Sequence, residues 1–317
     1  MRVFDFDPDE YAYAYAENGW VHVREGVSEE FQAVLTAYAQ EQLETHKLDA
    51  YAIKGKKEQA RFEFPSDLDF EDLLDTIATL SGLNRETLTL SERHIQIYDA
   101  DAAPEPPAHK DRFPSQISVG LSIDIPAESR LVLYPYDHRE VNPFNSAAGL
   151  RRSLQPDELP EVVLPHAREV ELADRARDVV AFPGSSTWHL RRRAAGALNL
   201  YLKFNDLGCD PLGEDPRTDT IRSASLTALR NGSVDAGRPL LGRRFDSVTR
   251  RSTRATEADS IEAQVYGEDP FGITEAQLAA IKLADGRRPL SELASESGAG
   301  RDQILRLVEL GALDLVS

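Results

Sequence analysis

The chain contains very little cysteine: one residue, Cys209, among 317. A single cysteine excludes a disulfide framework within the chain and a metal cluster held by several thiolates. Long apolar runs are also missing, and none approaches the ~20 residues that a membrane-spanning helix needs. The acidic N-terminus lacks the apolar segment of a signal peptide. These absences predict a cytoplasmic protein without a membrane span.

Positively charged residues are also scarce. The chain has 36 Lys and Arg against 54 Asp and Glu, which leaves a net charge of −18. A surface of that sign repels phosphate backbones, so nucleic acid is not an expected partner. The remaining composition, 41% hydrophobic and 28% charged, is typical of a globular protein that is long enough for more than one domain.

Hydrophobic periodicity changes along the chain. Apolar residues at helical spacing predict a helix over residues 28–43, begun by Ser28, and another over 69–80, stopped by Gly82. From residue 87 the period is two, and strands are predicted at 92–98, 117–125, 130–134, 168–172, 178–182 and 197–204. Short strands without helices between them predict a mainly β protein. The expected fold is a double-stranded β-helix (a cupin-like jelly roll) under N-terminal helices.

Three segments follow from these patterns: a jelly-roll domain at 1–209, a basic arm at 210–258 and a small module at 259–317. Nine arginines and three aspartates lie between Arg217 and Arg254. The sequence predicts that this arm is weakly structured. It is a linker packed on the acidic body, or else a mobile lid over the site or a recruiter of an anionic substrate.

The last segment has the pattern of three short helices and a terminal strand, which suggests a winged-helix-like module. Many such modules bind DNA, but eleven acids and five bases follow from Asp259 onward. The charge favours packing or homo-oligomerisation through this module over reading a DNA groove.

Candidate metal ligands stand on either side of the central strand pattern. His109 and Asp111 are two apart, so in an extended segment their side chains leave the same face. His189 follows the predicted strand at 178–182. Two imidazoles and one carboxylate on one side of a metal form the set that holds non-haem Fe(II) and leaves other coordination positions open.

Around these residues the chain resembles the Fe(II)/2-oxoglutarate-dependent oxygenases, especially their phytanoyl-CoA and prolyl hydroxylase-like branches. The likeness covers residues 11–207. It rests on the sequence IQIYD at 95–99, the His-x-Asp pair, and VVAFPG at 179–184 before the distal histidine. The resemblance implies Fe(II) bound by His109, Asp111 and His189, with 2-oxoglutarate and O2 as co-substrates.

The chain departs from this family at the co-substrate anchor. Relatives place an Arg or Lys ten to fourteen residues beyond the distal histidine, where this chain has Asn199 and Lys203. Lys203 is the predicted anchor for the far carboxylate of 2-oxoglutarate, and Arg193, from the run 191–193, is the alternative. Gln96 and Tyr98 are expected as neutral partners.

The resulting functional expectation is oxidation of a C–H bond in a small molecule, in specialised metabolism. Two alternatives from other classes stay open. One is a metal-binding jelly roll without redox chemistry, and the other is a regulator that acts through its C-terminal module. Iron-dependent formation of succinate separates the first reading from both alternatives.

Overall fold

The computed structural model describes residues 1–45, 49–53, 57–135, 140–144, 146–251 and 260–316. Over these residues the protein is a mixed helix and sheet structure, which corrects the expectation of a mainly β chain. It forms two compact units. One contains Met1–Leu88, Glu92–Val141 and Ala147–Phe204, and the other contains Thr89–Ser91, Asn142–Ser146 and Asn205–Ser317. No helix among the described residues has the length and apolar character to cross a membrane.

Among the described residues, the first unit contains five α-helices and ten strands. The helices are α1 (Asp9–Asn18), α2 (Glu29–Thr45), α3 (Phe70–Ser81), α4 (Ser146–Ser153) and α5 (Pro160–Val163). The strands are β1 (Val21–Val23), β2 (Asp49–Ile53), β3 (Lys57–Arg61), β4 (Thr89–Ile97), β5 (Ile117–Asp124), β6 (Arg130–Tyr134), β7 (Val170–Leu172), β8 (Val179–Phe182), β9 (Trp188–Arg192) and β10 (Leu198–Asn205).

Two sheets organise these strands. A seven-stranded sheet has the order β1-β8-β5-β10-β4-β3-β2, and a three-stranded sheet has the order β7-β6-β9. Strand β5 lies between β8 and β10 and pairs antiparallel with both. In the smaller sheet β6 pairs antiparallel with β7 and β9. Neighbours in the sheets are often distant in sequence, so the pairing order cannot be read from the strand pattern alone.

The central strand β5 is buried on both faces. Its apolar residues face one side, and Ser118, Gly120 and Ser122 are buried on the other. Gly120 is paired with Tyr201 of β10, and a Cβ at Gly120 would lie 3.0 Å from the Tyr201 ring. The absence of a side chain at Gly120 therefore makes room for an aromatic residue on the polar face of β10.

Both helices expected from periodicity are present, and each begins and ends within two residues of the expected position. Helix α2 begins after Ser28, whose hydroxyl accepts the Phe31 N–H at 3.2 Å. Helix α3 is capped by Asp69 and ends at Gly82, which adopts a left-handed φ of 72°. These signals are local hydrogen-bonding and backbone preferences, so they can be predicted directly from the sequence. The pattern missed α1 and the β2–β3 pair.

The second unit contains α6 (Thr218–Asn231), β11 (Arg238–Leu241), β12 (Phe245–Arg251), β13 (Ser260–Val265), β14 (Phe271–Ile273), α7 (Glu275–Leu283), α8 (Leu290–Ser297), α9 (Arg301–Glu309) and β15 (Leu313–Val316). The three helices and the terminal strand expected in the last segment are present. Strand β11, from the predicted arm, pairs antiparallel with β15.

The predicted arm is more ordered than its composition suggested. Within 210–251 it forms α6, β11 and β12, while residues 252–258 lie outside the described residues. Several of its arginines make contacts inside the unit. Arg222 donates to the carbonyl of Val308 and lies 3.3 Å from Asp314, and the buried Arg243 lies 3.4 Å from Asp215. These arginines hold structure together, which corrects the expectation of a weakly structured arm.

Candidate metal and co-substrate site

His109 and His189 are joined through their backbones. The His109 N–H donates to the His189 carbonyl at 3.0 Å, and the His189 N–H donates to the His109 carbonyl at 2.9 Å. The two residues thus form an isolated β-bridge, which joins β9 to the segment before β5. The two imidazole rings lie with their centroids 4.4 Å apart. The predicted partners, eighty residues apart in sequence, are thus adjacent.

Asp111 is held beside them by three contacts. Its N–H donates to the Gly184 carbonyl at 2.9 Å, its Oδ2 accepts from the Ser118 hydroxyl at 2.7 Å, and its Oδ1 accepts from the Lys203 ammonium at 3.0 Å. Potential ligand atoms of His109, Asp111 and His189 all lie within 4.8 Å of one another. The spacing of the donors suits a single ion, and two nitrogens with one carboxylate suit Fe(II).

The hydrogen bonding of His189 favours metal ligation. Its Nδ1 lies 3.0 Å from the Thr187 carbonyl, which can only accept, so Nδ1 carries the proton. The neutral ring then presents Nε2 as its unprotonated nitrogen, and that nitrogen lies 3.9 Å from Asp111 Oδ1. A ligand histidine fixed through its other nitrogen is the usual arrangement in metal sites. Phe182 packs against the same ring, with centroids 4.8 Å apart.

A narrow pocket adjoins the three residues. It is lined by the triad together with Gln96, Tyr98, Leu131, Arg191, Tyr201 and Lys203. The predicted residues Gln96, Tyr98 and Lys203 therefore line this pocket. Burial raises the pKa of Tyr98 and of Tyr201, so both phenols stay protonated and can donate hydrogen bonds.

Lys203 has its anionic partners within the protein. Its Nζ lies 3.0 Å from Asp111 Oδ1 and 3.0 Å from Glu92 Oε2. Burial alone would lower the pKa of Lys203, but the two carboxylates outweigh it and raise the pKa. The prediction of Lys203 as the co-substrate anchor assumed that the lysine needed a foreign carboxylate. Since Asp111 and Glu92 already neutralise the ammonium, that reason no longer applies.

Glu92 was not singled out from the sequence. Burial raises its pKa, but the charges of Lys203 and Arg112 outweigh burial and lower the pKa to about 2. Arg112 binds the other oxygen of this carboxylate at 2.6 Å. Glu92 is therefore ionised at neutral pH and contacts the Lys203 ammonium together with Asp111. The one sequence signal that could have indicated Glu92 is its place in the alternating pattern of β4, two residues before His94.

The three arginines that follow His189 lie in different environments. Arg193 is exposed, with a left-handed φ of 52°, and it does not line the pocket. Arg192 forms ion pairs with Glu105 and Glu169. Arg191 points inward, is 4% exposed and lines the pocket. It is two residues from His189 on β9, and alternation along a strand places both side chains on one face.

Asn199 lies beside Arg191 and is not among the residues that line the pocket. Its Oδ1 is 3.5 Å from Arg191 Nη2, and the residue is completely buried. Asn199, Tyr201 and Lys203 share one face of β10, as the alternation predicts. The opposite face, with Leu200, Leu202 and Phe204, is completely buried as well.

Scans of the sequence against protein-family models and against curated proteins give no match. Solved structures of 2-oxoglutarate-dependent enzymes are similar to the chain. The carbocyclase SnoK from nogalamycin biosynthesis is 17% identical, with a TM-score of 0.48 over 62% of this chain and 84% of SnoK. A prolyl-4-hydroxylase from Pseudomonas putida is 15% identical, with a TM-score of 0.41 over 63% and 98%.

EctD from S. alaskensis, solved with 2-oxoglutarate and 5-hydroxyectoine, is 13% identical, with a TM-score of 0.41 over 62% of this chain and 76% of its own. At such identity and superposition these likenesses carry no argument about activity.

Gly184 offers a direct test of how Asp111 is positioned. A Cβ at Gly184 would lie 2.5 Å from Asp111 Oδ2 and still closer to Ser118 Oγ, so Gly184→Ala must displace the carboxylate. We expect the variant to bind Mn(II) or Fe(II) about 10–100-fold more weakly, the usual effect of disturbing a group that supports a metal ligand. Calorimetric titration with Mn(II) measures the change.

Gly272→Ala is the matched control, because nothing lies within 4 Å of a Cβ at that position. Its metal affinity should equal that of the unmodified protein. Unchanged affinity in a folded Gly184→Ala variant would show that Asp111 is not a ligand.

Proposed function

We propose that the protein is a non-haem Fe(II)- and 2-oxoglutarate-dependent oxygenase that oxidises a C–H bond of a small molecule. The observation that carries this proposal is the convergence of two imidazoles and one carboxylate within 4.8 Å, beside a pocket lined by tyrosines and buried cations. The two antiparallel sheets of the first unit support the further proposal that they are the halves of a double-stranded β-helix.

The residues of the chain have separate tasks in this reaction. His109, Asp111 and His189 would hold Fe(II), and the backbone bridge between the two histidines keeps their rings adjacent without relying on the metal. Ser118 and Lys203 each occupy one carboxylate oxygen of Asp111, which restricts rotation of the group. A ligand set positioned before the metal arrives loses less conformational freedom on binding.

When bound, Fe(II) and 2-oxoglutarate supply the redox chemistry: the oxo acid and O2 give succinate and CO2, and the second oxygen atom oxidises the substrate. The protein orients the reactants and limits the access of water. Buried phenols of Tyr98 and Tyr201 and the packing of Phe182 against His189 provide a largely enclosed wall for that purpose. A small-molecule substrate in specialised metabolism is part of the proposal.

The reaction itself can be tested without knowing the substrate, because oxygenases of this chemistry also consume the oxo acid slowly on their own. Purified protein loaded anaerobically with Fe(II) and then given 2-oxoglutarate and ¹⁸O2 should form succinate that carries one ¹⁸O. Omission of iron or addition of a chelator should stop it. Tight iron binding without any succinate would instead favour a metal-binding module without redox chemistry.

A further inference from the structure

The second unit has a cavity of its own, with a volume of about 620 Å³. Sites for small molecules typically measure about 300–1,000 Å³, so the cavity is large enough to hold one. Every residue that lines it belongs to the second unit, and none belongs to the candidate metal site. The lining combines apolar side chains, among them Val265, Phe271 and Leu310, with three arginines and five acidic residues.

A tight turn places two adjacent arginines on the wall of this cavity. The Phe245 N–H donates to the Gly242 carbonyl at 2.9 Å, so Arg243 and Arg244 are the two central residues of the turn. The turn packs directly on the backbone that follows α9, because a Cβ at Gly242 would lie 2.1 Å from the Gly311 carbonyl oxygen. The backbone that carries both guanidinium groups is therefore fixed in position.

Both arginines have a buried N–H group without an acceptor. Within the described residues, Nε of Arg243 and Nε of Arg244 have no hydrogen-bond partner, although both atoms are shielded from solvent. Arg243 is 4% exposed, and its other two nitrogens donate to Thr218 and Thr89. Buried donors without acceptors are costly, and most are satisfied by protein, water or a ligand. A ligand oxygen at this wall would supply the missing acceptor.

Several charged groups of the cavity already have partners of opposite charge in the protein. These ion pairs are Arg222 with Asp314, Arg243 with Asp215 and Glu309 with Arg306. Arg244 differs, since it forms no ion pair with any residue that the structure describes. Its guanidinium lies over the Tyr266 ring, 5.6 Å from the centroid. The positive charge of Arg244 is therefore left for a ligand.

The opposite charge is also available in the cavity. Asp219, Glu268 and Asp269 line it, are exposed, and form no ion pair with a described residue. A simple anion would be repelled by these carboxylates, and a simple cation would be repelled by Arg244. A molecule that carries one charge of each sign complements both.

We propose that this cavity binds a dipolar small molecule of the α-amino acid class with an apolar side chain. The ligand carboxylate accepts from Arg244 and from Nε of Arg243, in the charge-assisted manner that suits a guanidinium. The ammonium group faces the exposed acidic residues, and the side chain packs on Val265 and Phe271. The site is independent of the proposed oxygenase chemistry.

Three probes with the same phenylalkyl skeleton test the two charges separately by calorimetric titration of the full chain. L-phenylalanine carries both charges, 3-phenylpropionate lacks the ammonium group, and 2-phenylethylamine lacks the carboxylate. L-phenylalanine should bind about 10–100-fold more tightly than either of the other two, the value of a charged hydrogen bond.

Substitutions then assign each preference to a wall of the cavity. Arg244→Gln should remove the preference over 2-phenylethylamine, and it strands no carboxylate, so the variant should fold. Glu268→Gln combined with Asp269→Asn should remove the preference over 3-phenylpropionate. Arg238→Gln and Glu292→Gln are the matched controls, because both residues are exposed in the same unit and neither lines the cavity. Both controls should keep both preferences.

Failure of the amino-acid site can be distinguished from failure of the oxygenase proposal. Iron-dependent succinate formation should be the same in Arg244→Gln as in the unmodified protein, whichever way the titrations turn out. Lack of L-phenylalanine binding at millimolar concentration, equal affinity for the three probes, or a preference that survives its own substitution would overturn the site alone.

Discussion

Replacing His109 or His189 with Ala should abolish iron binding at micromolar metal and reduce succinate formation to background. Each substitution removes one of the three proposed ligands, so the loss of metal affinity should exceed the ~10–100-fold typical of residues that only support a ligand. The fold should persist, since the bridge between the two residues uses backbone atoms that alanine retains. Metal content after desalting and succinate yield measure the two effects.

The control for this experiment is His166→Ala. His166 is exposed and lies outside the pocket, so the same change of residue type there should leave iron content and turnover unaltered. Circular dichroism would confirm that all three variants fold. A His109→Ala or His189→Ala protein that retained near-normal turnover would remove these residues from the site.

Replacing Lys203 with Met should lower the free energy of unfolding by about 3–5 kcal/mol, the usual cost of leaving a buried charge without its partner. The substitution keeps the length of the side chain but leaves Asp111 and Glu92 facing each other across the space of the lost ammonium. At neutral pH both carboxylates stay charged only at a large energetic cost. Urea denaturation followed by tryptophan fluorescence gives the difference.

A second substitution separates lost charge from lost packing. Adding Glu92→Gln to Lys203→Met removes one of the two stranded anions, so the double variant should recover part of the stability that the single variant loses. Lys282→Met is the control for the same substitution at an exposed lysine, and it should change stability by less than about 1 kcal/mol. A single variant as stable as the unmodified protein would show that Lys203 does not balance these carboxylates.

Some features of this protein follow from interactions between neighbouring residues and could be predicted directly from the sequence. Ser28, Asp69 and Gly82 mark helix ends because capping and left-handed backbone geometry depend on neighbouring residues. The period-two segment at 117–125 predicts β5 for the same reason. The choice of His109, Asp111 and His189 combined residue type with strand context, and the structure brings the three together.

The predicted arm, residues 210–258, shows that amino-acid composition can be a misleading guide to structure. Its arginines indicated a solvated segment. In the structure, however, Arg222 donates to the carbonyl of Val308, far away in sequence, and Arg243 forms an ion pair with the carboxylate of Asp215. Charge is a good guide to exposure only when no opposite charge is buried nearby, and the pairing partner is a property of the fold.

By itself the sequence determined the types of the candidate ligands, the alternation that puts Lys203 and Tyr201 on one face, and the negative charge that disfavours nucleic acid. Only the tertiary structure decided that Arg191 turns inward while Arg193 stays in solvent, and that Lys203 meets Asp111 and Glu92. The reason is physical. Strand β9 ends at Arg192 and Arg193 adopts a left-handed φ of 52°, so the alternation along the strand no longer fixes the direction of its side chain. The partners of the buried Lys203 lie on β4 and on the segment before β5, far from it in sequence, and only folding brings them together.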